Sequence, residues 1–211
     1  MNTDGIRTFL DNIEQLLIGL PHAHRIAFAA SCCERAYPNY VDFSRQAGWG
    51  DPKVLRESLD MAWEIVDDER PNVGMLLQFE RKCQQATPDL DDFCTPDIDV
   101  ACATGQEAAF MVTLLLQLCR ETIPLHAVRI ARFAFDTIDM YVQVIQELNP
   151  NDPQLEDKID EHPITRAELS VQKEDLLTLA RIQTVTDLRQ FIKHAIAPAT
   201  SNIGMAINNS R

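Results

Sequence analysis

With 211 residues, 45% of them hydrophobic and 24% charged, the chain has the composition of one ordinary globular domain, long enough to bury a core without disulfide or metal staples. Only 7 Gly and 7% aromatics, with little Val-Ile-Thr alternation, argue against a β architecture. A net charge of −13 without a Lys/Arg cluster excludes nucleic acid and an anionic membrane surface as partners, since both would be repelled.

The first helix is expected over about 4–18, with Ile6, Phe9, Leu10, Ile13, Leu16 and Leu17 on one face. The same stretch has no basic region followed by an apolar run, so no secretory signal is expected and the setting is a reduced cytoplasm. Pro21 suits the first turn of a second helix reaching about Arg35. Pro38 is expected to end it, because the residue before a proline is pushed out of the α region. The segment ERAYPNYVDF, Glu34 to Phe43, then reads as a helix end and a corner, with Tyr37, Tyr40, Phe43 and Trp49 docking the next segment of chain. Glu34 and Arg35 are expected to cap or pair within that junction.

Asp51 is placed to cap a third helix with Pro52 at its first position, and Leu55, Leu59, Ala62, Trp63 and Val66 form its stripe. Asn72 caps a fourth, to about Ala86. The irregular TPDLDDFCTPDID precedes a central helix over 97–121. Its apolar run Ala108–Cys119 falls short of the ~20 residues that a bilayer requires. Pro124 opens a long helix to about Leu148, with Val128, Ala131, Phe135, Ile138 and Val142 as its stripe. NPNDP breaks it, and Asp152-Pro153 begins a short acidic helix. Thr165 and Glu168 have capping-box spacing for the next. A last helix covers about 185–196, and the tail 197–211 is expected to dock through Ile203, Met205 and Ile207. The predicted fold is all-α: a single-domain multi-helix bundle over 1–211, about eight to nine helices around the apolar helix 97–121.

The chemistry-bearing residues point in few directions. Cys32, Cys33, Cys83, Cys94, Cys102 and Cys119 sit in apolar helical patterns and lack zinc spacing, so they read as core thiols. His22 and His24 fall on different helix faces. Asp89, Asp91, Asp92, Asp97 and Asp99 are dense, but Cys94 and Val100 stand where a calcium loop needs Gly and Glu. They read as a solvated loop with Asp97 and Asp99 at the positive end of a helix. Asp60 and Glu64 flank Trp63 and share a face four residues apart, so they need a compensating cation, which Arg35 or Arg56 can supply. Either these groups form a buried ion-pair network at a helix crossing, or they form a cleft with one raised carboxyl ready for acid–base or metal chemistry.

The run Glu34-Arg35-x-Tyr37-Pro38-Asn39-Tyr40-x-x-Phe43, then Gly48-Trp49-Gly50-Asp51 and Leu59-Asp60-x-x-Trp63-Glu64, resembles the YjaG-like family of uncharacterised bacterial proteins. Asp91-Asp92-Phe93, Ile98-Asp99-x-Ala101-Cys102 and Ser201-Asn202-Ile203-Gly204 extend the match, and Trp49 stands where the family pattern has Phe. The resemblance implies an all-helical cytoplasmic protein and no activity.

The expected function is that of a non-enzymatic binding or interaction protein, a homodimer, with an acidic face over residues 51–100 that meets a basic protein partner. That segment holds 13 acids against 5 bases. The alternative is a metal-dependent hydrolase built on the clustered acids. Glu34, Arg35, Tyr37, Asn39, Tyr40, Asp60, Trp63, Glu64, Asp91 and Asp92 are the candidate binding residues. No catalytic residue stands out, and neither a cofactor nor a metal site is expected.

Overall fold

The computed structural model describes residues 3–67, 71–93, 99–196 and 200–204. They form helices α1 (Thr3–Ile18), α2 (His22–Ala47), α3 (Pro52–Val66), α4 (Val73–Ala86), α5 (Leu90–Phe93), α6 (Asp99–Arg120), α7 (Pro124–Ile145), α8 (Leu155–Glu161), α9 (Pro163–Leu179) and α10 (Val185–Ala195). The all-α bundle is as expected, with α5 as an added single turn inside the stretch read as irregular. Ile6, Leu10, Cys94, Asp97, Met205 and Ile207 lie outside the residues whose side chains are described.

Local signals set most of the boundaries. Asp51 accepts from the Val54 N–H with Pro52 in the first turn, and Asn72 accepts from the Met75 N–H. Gly48, at φ 61°, ends α2 in the left-handed conformation. Thr165 and Glu168, however, do not cap α9. That helix starts two residues before Thr165, at Pro163, with His162 as its cap, and both residues are buried inside it.

The larger correction concerns Pro38. α2 does not stop at Arg35 but runs straight through the proline to Ala47. A proline in a helix interior removes one hydrogen bond, here to the Glu34 carbonyl, and costs about 3 kcal/mol. Continuing the helix buries Tyr40 and Phe43 completely. Large side chains contribute roughly 1.5–3 kcal/mol each on burial, so the two together offset the proline. The neighbouring Arg35 carbonyl accepts the backbone N–H of Asn202 at 2.9 Å, so the C-terminal segment supplies a donor where the helix is weakened.

α6 is the central helix, as expected, and the uninterrupted α2 packs along it. α2 is lined with Ala27, Ala29, Ala30, Cys32, Cys33 and Ala36, all buried, and these small residues let α3, α6, α7, α9 and α10 approach it. α6 touches α2, α3, α4, α5 and α7. By length and composition α6 could cross a bilayer, its apolar window being longer than the 108–119 run, but 72% of that window is buried inside the bundle. A smaller cluster of Ile138, Val142, Ile159 and Ile203 lies under the C-terminal segment, so Ile203 docks as expected.

Gly105 lies at a tight crossing of α6 with α2. A Cβ there would lie 2.7 Å from the Phe43 Cβ, well inside contact distance, and Phe43 has no exposed surface into which to yield. Alanine is intrinsically the better helix former by about 1 kcal/mol, whereas overpacking a closed core costs about 1–3 kcal/mol. The clash should win: Gly105→Ala is expected to lower the urea midpoint at an unchanged m-value. An equal or higher midpoint would show that α2 and α6 are not locked at this crossing.

Candidate functional site

Glu34 and Arg35 are successive residues of α2, so their side chains leave the helix about 100° apart. Both are buried. Each forms a two-pronged ion pair, and the two pairs lie on different neighbours.

Toward α3, Arg56 donates from Nη1 to Glu34 Oε2 at 2.7 Å and from Nη2 to Oε1 at 2.6 Å. The Trp63 indole N–H donates to the same Oε1 at 2.8 Å. Arg56 Nε reaches Asp60 Oδ1 at 2.9 Å, and the guanidinium lies 5.5 Å over the Tyr37 ring. Tyr37 in turn donates to the Pro52 carbonyl at 3.2 Å. Burial, chiefly, pushes its phenol above the ordinary range. Glu34, Tyr37 and Asp60 therefore converge on one cation, Arg56, while Trp63 closes on the Glu34 carboxylate itself. Glu64 does not join them; it is exposed on the outer face of α3.

Toward α9, Arg35 donates from Nε and Nη2 to the two oxygens of Glu168, both at 2.8 Å. Its Nη1 donates to Ser31 Oγ at 2.8 Å and reaches Asp175 Oδ2 at 3.3 Å, and Ser31 Oγ donates to the same Asp175 oxygen at 2.7 Å. Gln172 completes the layer, donating to Glu168 Oε1 at 3.0 Å. Burial pushes the Asp175 carboxyl above its usual range, against the pull of Arg35 and of the Ser31 hydroxyl. Arg35 is thus not the partner of Asp60 and Glu64.

The other candidates fall elsewhere. Asn39 is fully buried and donates to Asn202 Oδ1 at 2.7 Å, fixing the C-terminal segment beside Arg35. A cavity of about 200 Å³ opens there, walled by Pro163, Ile164 and Val171 and floored by the Arg35–Glu168 pair. Tyr40 donates to the Ala86 carbonyl and accepts from the Asp51 N–H. A Cβ at Gly50, where φ is 95°, would strike the Tyr40 hydroxyl at 2.6 Å, which explains the glycine. Asp91 and Asp92 are exposed on α5, which docks through Phe93 on Phe43 and Trp49.

Chemically, Glu34 is enclosed by three donors and presents no open carboxylate. Among the described residues no three His, Cys, Asp or Glu side chains converge as a metal would require. The five described cysteines are buried and form no disulfide, and burial holds Cys83 up at about 11, so it is not a thiolate near neutral pH. Sequence reading missed Glu168, Gln172 and Asp175. Their signal was present: with Thr165 they make a polar stripe at three- and four-residue spacing beside Leu169, Leu176 and Leu179, and all of these are buried.

Comparison with known proteins agrees with the resemblance. The family model described as a protein of unknown function, DUF416, matches residues 12–206. An uncharacterized protein YjaG of Escherichia coli K12 is 31% identical over 191 residues, covering 85% of this chain and 89% of that one. Its Salmonella typhimurium counterpart is 27% identical over 189 residues, with the same coverage of 85% and 89%. A crystal structure of a DUF416 family protein from Shewanella baltica superposes with a TM-score of 0.80 at 24% identity, over 92% of this chain and 98% of that one. The chain belongs to the DUF416 family.

Removing one partner of a buried pair leaves its counter-charge uncompensated and costs about 3–5 kcal/mol. Arg35→Met is expected to destabilise by that amount in urea denaturation. Asp175→Asn should behave differently, because its folded carboxyl is raised. Such a group stabilises fully below its unfolded pKa and loses that contribution as pH rises through the folded value. The stability of Asp175→Asn relative to the parent should therefore improve from pH 4 to pH 7. A difference that is flat or falls with pH would mean that Arg35 outweighs burial at this carboxyl.

Proposed function

We propose that the protein is a non-enzymatic binding protein that takes a basic segment of another protein along the outer face of α3. The observation that carries this is a ridge. Glu57, Asp60, Glu64 and Asp67 succeed one another at spacings of three and four, so they share one face of the helix. Asp60 and Glu64 are exposed, and the side chains of Glu57 and Asp67 are 42% exposed. Lys53, Arg56 and Arg189 already face Glu57, Asp60 and Asp67, but exposed pairs of this kind are weak, so a cationic partner can compete for these carboxylates.

The competing reading, a metal-dependent hydrolase, loses its support because Glu34 is spent on Arg56 and Trp63 while Asp91 and Asp92 stand on another helix. A cytoplasmic location belongs to the same proposal and draws support from the five described cysteines, which are buried as thiols rather than joined in disulfides and so suit a reducing compartment.

The test uses a labelled helical peptide of about 18 Leu and Lys residues, with Lys on one face, long enough to span the ridge. Fluorescence anisotropy should show binding that weakens as salt rises. Neutralising the ridge with Glu57→Gln, Asp60→Asn and Glu64→Gln should reduce affinity at least about tenfold. Neutralising Asp157, Glu161 and Glu174, exposed acids on α8 and α9, should leave it nearly unchanged. Equal losses in the two variants, or no binding, would overturn the proposal.

A further inference from the structure

A groove of about 400 Å³ runs between α3 and α10. One wall is the C-terminal part of the acidic ridge, Asp60, Glu64 and Asp67. The other is basic: Arg189 and Lys193, four residues apart on α10. Trp63, Ile192 and Ile196 supply apolar surface between them, and Ile196 remains 43% exposed. Arg189 Nε donates to Asp67 Oδ1 at 2.5 Å across the groove.

α10 is held less firmly than the central helices. It has 11 residues, below the roughly 12–15 at which an isolated helix becomes even marginal in water, so packing must keep it formed. Its core contacts are Leu188, Phe191 and Ala195, each 7–8% exposed, at the rim of the core, whereas the deep positions of α2 and α6 have no exposed surface. The Arg189 and Asp67 side chains are 58% and 42% exposed, and an ion pair that open shifts an equilibrium only about two- to fivefold.

The face of α10 turned to the groove has the chemistry required of a partner for the ridge: two bases one turn apart, bordered by isoleucines. We infer that α10 is an internal competitor for the ridge, and that the partner is a basic amphipathic helix of the same pattern. This inference rests on the binding function proposed above. An incoming helix with bases at i and i+4 would reach Glu64 and Asp67, and since Arg189 already holds Asp67 while Lys193 lines the same groove, both helices cannot occupy those carboxylates together. Binding therefore displaces the groove-facing edge of α10, and the hold of α10 sets the affinity that the partner sees.

The experiment compares the full-length protein with its Arg189→Gln/Lys193→Gln variant, which keeps Leu188, Phe191 and Ala195. Without peptide, hydrogen exchange of the α10 amides should be about two- to fivefold faster in the variant, and raising salt should speed it in the parent but not in the variant. Identical exchange in both proteins would overturn the inference whether or not any peptide binds. With the Leu-Lys peptide, the variant should bind about two- to fivefold more tightly, and the peptide should speed α10 exchange in the parent. Unchanged or weaker binding by the variant, or added protection of α10, would overturn the competition while leaving the ridge as the docking surface. Failure of the peptide to bind either protein would count against the binding function itself, and the peptide-free exchange would still decide whether α10 is held by the ridge.

Discussion

Two adjacent charges on one buried helix organise this molecule. Taking Glu34 and Arg35 out of water is expensive, and the loss is recovered only where geometry is close to ideal and the remaining polar atoms are satisfied. Both conditions hold. Each residue meets its partner through two parallel hydrogen bonds, and Trp63, Ser31 and Gln172 occupy further positions around the carboxylates and the guanidinium. A fork of this kind tolerates little sliding or rotation. The Glu34–Arg56 pair consequently sets where α3 sits along α2, and the Arg35–Glu168 pair does the same for α9, from neighbouring positions on one helix.

Pro38 is tolerated because so much is fastened to either side of it. Were α2 to break there, Asn39, Tyr40 and Phe43 would leave the core, and the turn that Tyr40 ties to Ala86 and Asp51 would lose its anchor. The helix continues because its far half is as deeply buried as its near half. The C-terminal segment meets this same point twice, through the Asn202 N–H on the Arg35 carbonyl and through its side chain on Asn39. Three distant parts of the chain, α3, α9 and residues 201–203, are therefore registered against barely two turns of α2.

What the sequence discloses and what it hides divide by the range of the interaction. The caps at Asp51 and Asn72, Pro124 at the start of α7, and four of the five residues of the α7 stripe emerge as read, because each depends on neighbours within a turn or two. Phe135 is the partial exception, half-buried at the edge of its face. Pro38 and the Thr165–Glu168 pair mislead for the same reason in reverse. A proline rule and a capping box are local patterns, and here tertiary burial overrides both. Nothing near Glu168 announces that it belongs to Arg35, 133 positions away. The candidate site was half legible: the Arg56 cluster can be read from spacing on α3 and a guess at the crossing, whereas the α9 partner set needed the fold.

The same helix that receives Glu34 also bears the ridge, and its two faces answer different demands. Leu55, Leu59, Ala62, Trp63 and Val66 lie inward and buried, while Glu57, Asp60, Glu64 and Asp67 repeat at helical spacing on the solvent side. Asp60 alone joins the two systems, since it shares Arg56 with Glu34. That sharing is lopsided: Glu34 takes two bonds in a buried setting, whereas Asp60 takes one at a position 57% exposed, where an ion pair is worth at most about 1 kcal/mol. Removing the outer charge leaves the inner fork intact. Stability and surface chemistry on α3 are thus nearly separable, so charges on the ridge can change without disturbing the helix crossing that Glu34 fixes.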